Sequence, residues 1–265
     1  MVGYIHPYEV LKNRQEKQGS KRAIGVLRLG EKTQDDFIFL NWREVFDRLQ
    51  KCGVFLQSLG LKKGDRIAIL GRNSFEWLLI DWAAMATGLV TVPLYPQSPL
   101  EEIRYILNES EVKILFTEQI IPELSILQIS FLEIEKTHLN SIEQFNPDLL
   151  ESDEIASIIY TSGTSGKPKG VMHTTRNFFE AVRTAAPCIR LSEKDRLLSY
   201  LPLSHVAERI LIEFGCLYTG AEVYIIDRVE RLMNFLPKAR PTIFFAVPRV
   251  WDTIRFRIEK ELRSQ

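Results

Sequence analysis

Cysteine is scarce in this chain: three in 265 residues, Cys52, Cys188 and Cys216, far apart and never in a CxxC pair. That argues against zinc and dithiol redox motifs and suits a reducing compartment. Net charge is also missing, since Lys plus Arg equals Asp plus Glu at 34 each. A balanced chain gives no electrostatic reason to expect a nucleic-acid partner. No internal repeat or low-complexity tract is present, and the polar N-terminal stretch has no apolar core of signal-peptide length. The one run apolar enough to imitate a membrane span, Trp77 to Tyr95, contains Asp81, is broken by Gly88 and then turns β-branched. It therefore reads as a buried helix followed by a buried strand, and no transmembrane segment is expected. What remains is an ordinary globular composition, 45% hydrophobic and 26% charged.

From about residue 65 the chain alternates between two textures. Short apolar runs bounded by turn residues read as strands at 65–71, 89–95, 112–118, 156–161, 195–201, 222–227 and 242–247. Between them, stretches at helical spacing read as helices, one opened by Asn73 or Ser74, one capped by Ser98 with Pro99 at its first position, one at 174–186 and one at 205–220 closed by Gly220. A last helix, opened by Pro248 and rich in charge, reads as a solvated face or a severed interface. Successive βα units imply an α/β fold of parallel sheets flanked by helices. Residues 119–154 are less periodic, although SILQISFLEIE has room for a strand and HLNSIEQF for a short helix. They are expected to connect a first α/β lobe, 1–118, to a second, 155–265.

The segment with the clearest chemistry is YTSGTSGKPKG, Tyr160 to Gly170, placed between an expected strand and an expected helix. Thr161, Ser162, Thr164 and Ser165 alternate with Gly163 and Gly166, and Lys167 and Lys169 follow. Glycines let backbone approach a ligand closely, exposed N–H and hydroxyl groups donate to phosphate oxygens, and the lysines supply positive charge. A Ser/Gly-rich linker has the same composition but seldom joins a buried strand to a helix. A Walker A loop is a poor match, because Lys167 is followed by Pro168 rather than by Ser or Thr.

TSGTSGKPKGV resembles the signature of the adenylate-forming superfamily, which includes acyl-CoA synthetases, luciferases and peptide-synthetase adenylation domains. Three further stretches are similar to the long-chain fatty-acid branch: 64–99, SYLPLSHVAERI at 199–210 and FFAVPRVWDTI at 244–254. The resemblance covers most of the chain from residue 42. It implies that Thr161, Ser162, Gly163, Thr164, Ser165, Gly166, Lys167 and Lys169 bind the β- and γ-phosphates of ATP, with Thr164 next to Mg²⁺. It implies that His205 borders the acyl carboxylate, against the alternative of a His that only satisfies a helix N-terminus. Trp77, Trp82, Phe244 and Phe245 are candidates for a lipid pocket, with plain core the favoured reading, and Glu208–Arg209 for a functional or structural ion pair. One departure stands out in VMHTTRN: His173 comes early, and Thr175 stands where relatives carry a His.

The implied reaction joins a long-chain fatty acid to AMP and then to coenzyme A. An acyl carrier protein is the alternative acceptor. The YG-x-TE and TGD segments of the family, and its small C-terminal domain with the adenylation lysine, have no counterpart in the 265 residues. The expectation is therefore a ligase portion with little activity alone, completed by a separate C-terminal half. A non-catalytic remnant acting as a binding module is the other reading. A cytoplasmic location is expected. Peripheral membrane contact would suit a lipid substrate, but no strongly basic amphipathic helix supports it. Exposed apolar surface is expected where a further part of the protein would dock.

Overall fold

Two twisted sheets, separated by a layer of helices, organise the chain in the computed structural model, which describes residues 3–28, 36–137, 144–161 and 166–263. The strands are β1 (Arg22–Arg28), β2 (Asp36–Asn41), β3 (Arg66–Leu70), β4 (Val90–Leu94), β5 (Ile114–Thr117), β6 (Leu127–Ser130), β7 (Ile155–Thr161), β8 (Lys169–Thr174), β9 (Arg196–Ser199) and β10 (Glu222–Ile225). The helices used below are α1 (Pro7–Gln18), α2 (Trp42–Ser58), α3 (Phe75–Ala86), α4 (Leu100–Glu109), α5 (Phe131–Thr137), α6 (Thr175–Cys188), α7 (Val206–Glu208), α8 (Gly215–Thr219), α9 (Leu232–Ala239) and α10 (Pro248–Arg263). A six-residue π-helical stretch, Arg209–Phe214, joins α7 to α8.

The larger sheet has the order β6-β5-β3-β4-β7-β8, and the smaller one β2-β1-β10-β9. Most neighbours are parallel, but β8 runs antiparallel to β7, and β2 antiparallel to β1. The reason is length. Residues 29–35 and 162–168 are too few for a crossover, so those strands fold back as hairpins, whereas parallel neighbours are separated by helices. Both sheets draw strands from each side of the 119–154 stretch: β7 and β8 complete the larger sheet, and β1 and β2 complete the smaller one. That stretch holds β6 and α5, while the helix expected at HLNSIEQF lies largely outside the described residues.

Strand burial explains why the strands read as unbroken apolar runs. In β3, Ile67 and Ile69 face α2 and α3 between the sheets, while Ala68 and Leu70 pack with α4 on the other side. A strand covered on both faces has no polar face to alternate with. The largest cluster contains residues of both sheets, of α2 and α3, and of the 206–219 helices. Helix α3 is buried at every position except Glu76, which accounts for its resemblance to a membrane span. Among the described residues no helix is long and apolar enough to cross a membrane.

Several helix ends follow local rules. Ser74 Oγ accepts from Trp77 N–H, and Thr174 and Asn177 form a capping box on α6, worth about 1 kcal/mol. Gly220 takes φ +81° after α8. Ser98 departs from expectation: its hydroxyl donates to Glu102 Oε1 rather than capping the α4 backbone. Residues 242–247 depart too, lying beside β9 without joining the sheet; Thr242 and Ile243 both turn their N–H toward Arg196 O. Residues 1–64, for which the sequence reading assigns no elements, supply α1, β1, β2 and α2.

Candidate functional site

The parallel strands of both sheets end at one place. Beyond β3 come Gly71, Arg72 and Asn73; beyond β5, Glu118; beyond β9, Tyr200 to His205; beyond β10, Asp227. Side chains stitch these ends together across the two sheets. Asn73 donates to Ser199 Oγ (3.0 Å) and Leu201 O (2.6 Å), and accepts from Leu203 N–H (2.9 Å). Arg72 pairs with Glu118 through two nitrogens and reaches Asp227 at 3.5 Å. Crevices at the carboxyl ends of parallel strands are where open α/β sheets bind ligands.

Beside them, β7 and β8 form the hairpin that carries the Ser/Gly/Lys segment. Thr161, the last residue of β7, lies opposite Lys169, the first of β8. Ser162, Gly163, Thr164 and Ser165 lie outside the described residues. The two flanking glycines do different work. Gly166 has φ +87° with open space where a Cβ would stand, so its demand is conformational. At Gly170 a Cβ would come 2.7 Å from Ile158 Cγ2, so its demand is steric. Lys167 Nζ stands 5.6 Å above the Tyr105 ring, and Lys169 is exposed. A strand, β8, follows the segment, and the helix expected at 174–186 comes after it as α6, from Thr175 to Cys188.

His205 caps α7. Its Nδ1 accepts from Ala207 N–H at 3.1 Å, which places the ring proton of the neutral form on Nε2, and the residue is exposed. The helix-end role weighed in the sequence is thus real, and it leaves one N–H able to donate outward. Glu208 and Arg209 do not pair with each other. Glu208 is fully buried, and its Oε1 accepts from Ser199 Oγ (2.9 Å) and Tyr200 N–H (3.0 Å). Burial pushes its carboxyl up to about 8, against those hydrogen bonds.

Arg209 turns the other way, into the core. It donates to Asp81 Oδ2 (2.5 Å), Glu213 Oε2 (3.0 Å) and Ser157 Oγ (2.6 Å), all at zero side-chain exposure for the charged groups. Its guanidinium also lies 4.7 Å from the Phe178 ring centre. Two carboxylates face one cation, and burial next to Asp81 holds Glu213 well above the usual carboxylate range. A protonated Glu213 makes the cluster neutral. His173, on β8, stacks on Phe178 at 5.4 Å, and burial together with Arg209 lowers its pKa. Thr175 accepts from the Tyr4 hydroxyl at 2.6 Å.

Trp77 and Trp82 are buried core, as favoured from the sequence, while Phe244 stacks on Tyr200 and Phe245 is exposed. Among the described residues no group of three or more His, Cys, Asp or Glu side chains could hold a metal ion. Asn73, Ser199, Arg72, Glu118 and Asp227 were not read as site residues in the sequence, and no local pattern marks them, because each acquires its role from a partner on another strand.

Residues 11–265 match the family model described as AMP-binding enzyme. Similar proteins include long chain acyl-CoA synthetase 4 of Arabidopsis thaliana, 29% identical over 96% of this chain and 44% of that one. The long-chain-fatty-acid–CoA ligase FadD15 of Mycobacterium tuberculosis is 30% identical over 80% of this chain and 39% of its own length. The chain therefore spans well under half the length of these curated relatives. Among solved structures, the N-terminal domain of FACL13 from Mycobacterium tuberculosis superposes with a TM-score of 0.82 at 24% identity, covering 95% of this chain and 65% of that one. O-succinylbenzoate coenzyme A synthetase of Bacillus subtilis, in complex with ATP and magnesium ion, gives 0.79 at 23% identity over 92% of this chain and 65% of its own. Both share the fold.

Proposed function

This chain belongs to the AMP-binding enzyme family, and from that premise we propose that it forms the phosphate-handling part of a long-chain fatty-acid–CoA ligase. The observation that carries the reading is the β7–β8 hairpin, which holds Thr161, Gly166, Lys167 and Lys169 at the carboxyl end of β7 in the larger sheet. Long-chain acyl-CoA synthetases among its relatives support the substrate class.

In the proposed reaction a fatty-acid carboxylate attacks the α-phosphate of ATP. The bond to the β-phosphate bridging oxygen breaks, and pyrophosphate leaves. The coenzyme A thiolate then attacks the acyl carbon and AMP leaves. The first step concentrates charge on the leaving phosphates, so its main need is electrostatic stabilisation. Lys169, exposed and opposite Thr161, is the residue here suited to the β- and γ-phosphates, with Thr161 as a hydroxyl donor and Gly166 giving the backbone its turn. Ser162, Gly163, Thr164 and Ser165 are proposed to complete that cradle. Mg²⁺, when bound with ATP, would supply further neutralisation, and Thr164 is its proposed neighbour. His205 is proposed to orient the acyl carboxylate through Nε2–H, since Nδ1 is committed to Ala207. Asn73 and Glu208 hold the loop on which His205 stands.

The 265 residues contain no YG-x-TE or TGD segment, which by resemblance would hold the nucleoside. We therefore expect the chain alone to bind MgATP but to turn over little. Fatty-acid-dependent ATP–pyrophosphate exchange tests this, with the folded chain alone and with the C-terminal portion of a long-chain relative added. Exchange only after addition is the expected result. Exchange by the chain alone would contradict the need for those segments. No exchange in either case, together with no MgATP binding, would favour a non-catalytic binding module.

A further inference from the structure

A groove of about 760 Å³ runs between α1 and α6, and none of its lining residues belongs to the hairpin or to the loops that leave β3, β9 and β10. One face of α1 contributes Val10, Arg14 and Lys17, and one face of α6 contributes Phe179, Val182 and Arg183, each set at the three- and four-residue spacing of a helix face. Both helices pack on α8, whose Tyr218 floors the space between them. Tyr218 is held there by its hydroxyl, which donates to Ile5 O (3.0 Å), and by an edge-to-face contact with Phe179 at 5.2 Å. The volume is that of a small-ligand pocket.

Its chemistry is one-sided. The interior is apolar, while Arg14, Lys17 and Arg183 line the rim and no Asp or Glu belongs to the lining. No carboxylate lies in the groove itself, although Glu180 pairs with Arg183 from outside it at 2.6 Å. The rim cations differ in freedom. Arg14 is fixed, donating to Tyr218 O (2.7 Å) and Gln18 Oε1 (3.4 Å). Arg183 is exposed and donates through Nε to Glu180 Oε2 (2.6 Å), and Lys17 is exposed at the end of α1. A largely apolar trough lined also by cations from both helices matches a ligand with a flexible hydrocarbon tail and a negative head. Because the trough is concave and floored, it suits a single tail rather than a flat lipid surface.

We propose that this groove binds a single-chain amphiphilic anion, a long-chain carboxylate, with its tail over Val182, Phe179 and Tyr218 and its head at Lys17 and Arg183. The site is independent of the reaction centre proposed above.

The test is calorimetric titration of the folded chain with dodecanoate, below its micelle concentration, and with dodecanol as the neutral counterpart. Lys17→Glu with Arg183→Glu, both at exposed positions, should weaken dodecanoate binding roughly tenfold, about 1.4 kcal/mol, and leave dodecanol unchanged. Asn13→Trp, at an exposed position on the groove, should abolish both. Lys62→Ala, at an exposed cation outside the groove lining, should alter neither. Absence of saturable dodecanoate binding by the folded wild-type chain would overturn the proposal. So would binding that survives every groove variant and is lost in His205→Ala, a result that would place dodecanoate at the acyl site of the proposed ligase instead.

Discussion

The β7–β8 hairpin and the π-helical stretch place positive charge in opposite settings. Lys169 stands exposed at the start of an edge strand, beside a segment of hydroxyls and glycines. Arg209 has no exposed side-chain surface, and each of its three guanidinium nitrogens donates to a buried partner, Asp81, Glu213 or Ser157. The contrast separates two uses of a cation. A charge left in water keeps its capacity to bind an incoming anion and contributes little to folding. A charge matched inside the core has no capacity left and fixes the elements around it: here α3, β7 and the stretch from 209 to 214.

The largest effect should come from emptying the buried side of this comparison. Arg209→Met would leave Asp81 and Glu213 buried without a cation, and removing one partner of such a cluster costs about 3–5 kcal/mol. Urea unfolding of the variant against wild type measures this, and a loss below about 1 kcal/mol would show that the cluster is not what holds the helices to the larger sheet.

Glu208 gives a second, pH-dependent measure. Its folded pKa, about 8, lies above the ordinary carboxylate value, so between about pH 4.5 and 8 the folded state holds a proton that the unfolded state has lost. Its contribution is therefore fully present below about pH 4.5 and is lost as pH rises through 8. His6 runs the other way. Burial lowers it to about 4, so folding is penalised as pH falls below about 6.5. In Glu208→Gln the decline in urea midpoint between pH 5 and 8 should flatten, while the His6 limb at acid pH persists. An unchanged slope would place the proton elsewhere.

The smallest stability effect should belong to the exposed side. Lys169→Ala should shift unfolding by no more than about 0.5 kcal/mol, yet weaken MgATP binding at least several-fold. A variant that unfolds early, or that binds MgATP as well as wild type, would dissolve the distinction between the two cations.

Much of this architecture was legible because it is local. The βα alternation from residue 65, the helix opening at Ser74, the break at Gly88 and the stop at Gly220 follow from neighbouring residues. Local reading failed where partners are distant. KGVMHT carries no alternating pattern, since Lys169 to Met172 are all exposed, and among the described residues its ladder partner is β7 alone. TIFFAV has strand composition, but only Thr242 and Ile243 direct their N–H groups to β9, so no ladder forms. Glu208 and Arg209 looked like a pair because they are adjacent, but consecutive helical residues point in different directions.

The sequence by itself determined the fold class, the family and the position of the Ser/Gly/Lys segment, because periodicity, capping and motif spacing are written within a few turns of chain. Only the tertiary structure decided that β7 and β8 complete the larger sheet while β1 and β2 complete the smaller one. It alone brought Asn73 to Ser199, Arg72 to Asp227 and Asp81 to Arg209, pairs separated by 126 to 155 residues. A buried charge or amide must find a partner wherever packing brings one, and that partner's position along the chain is not constrained by local geometry.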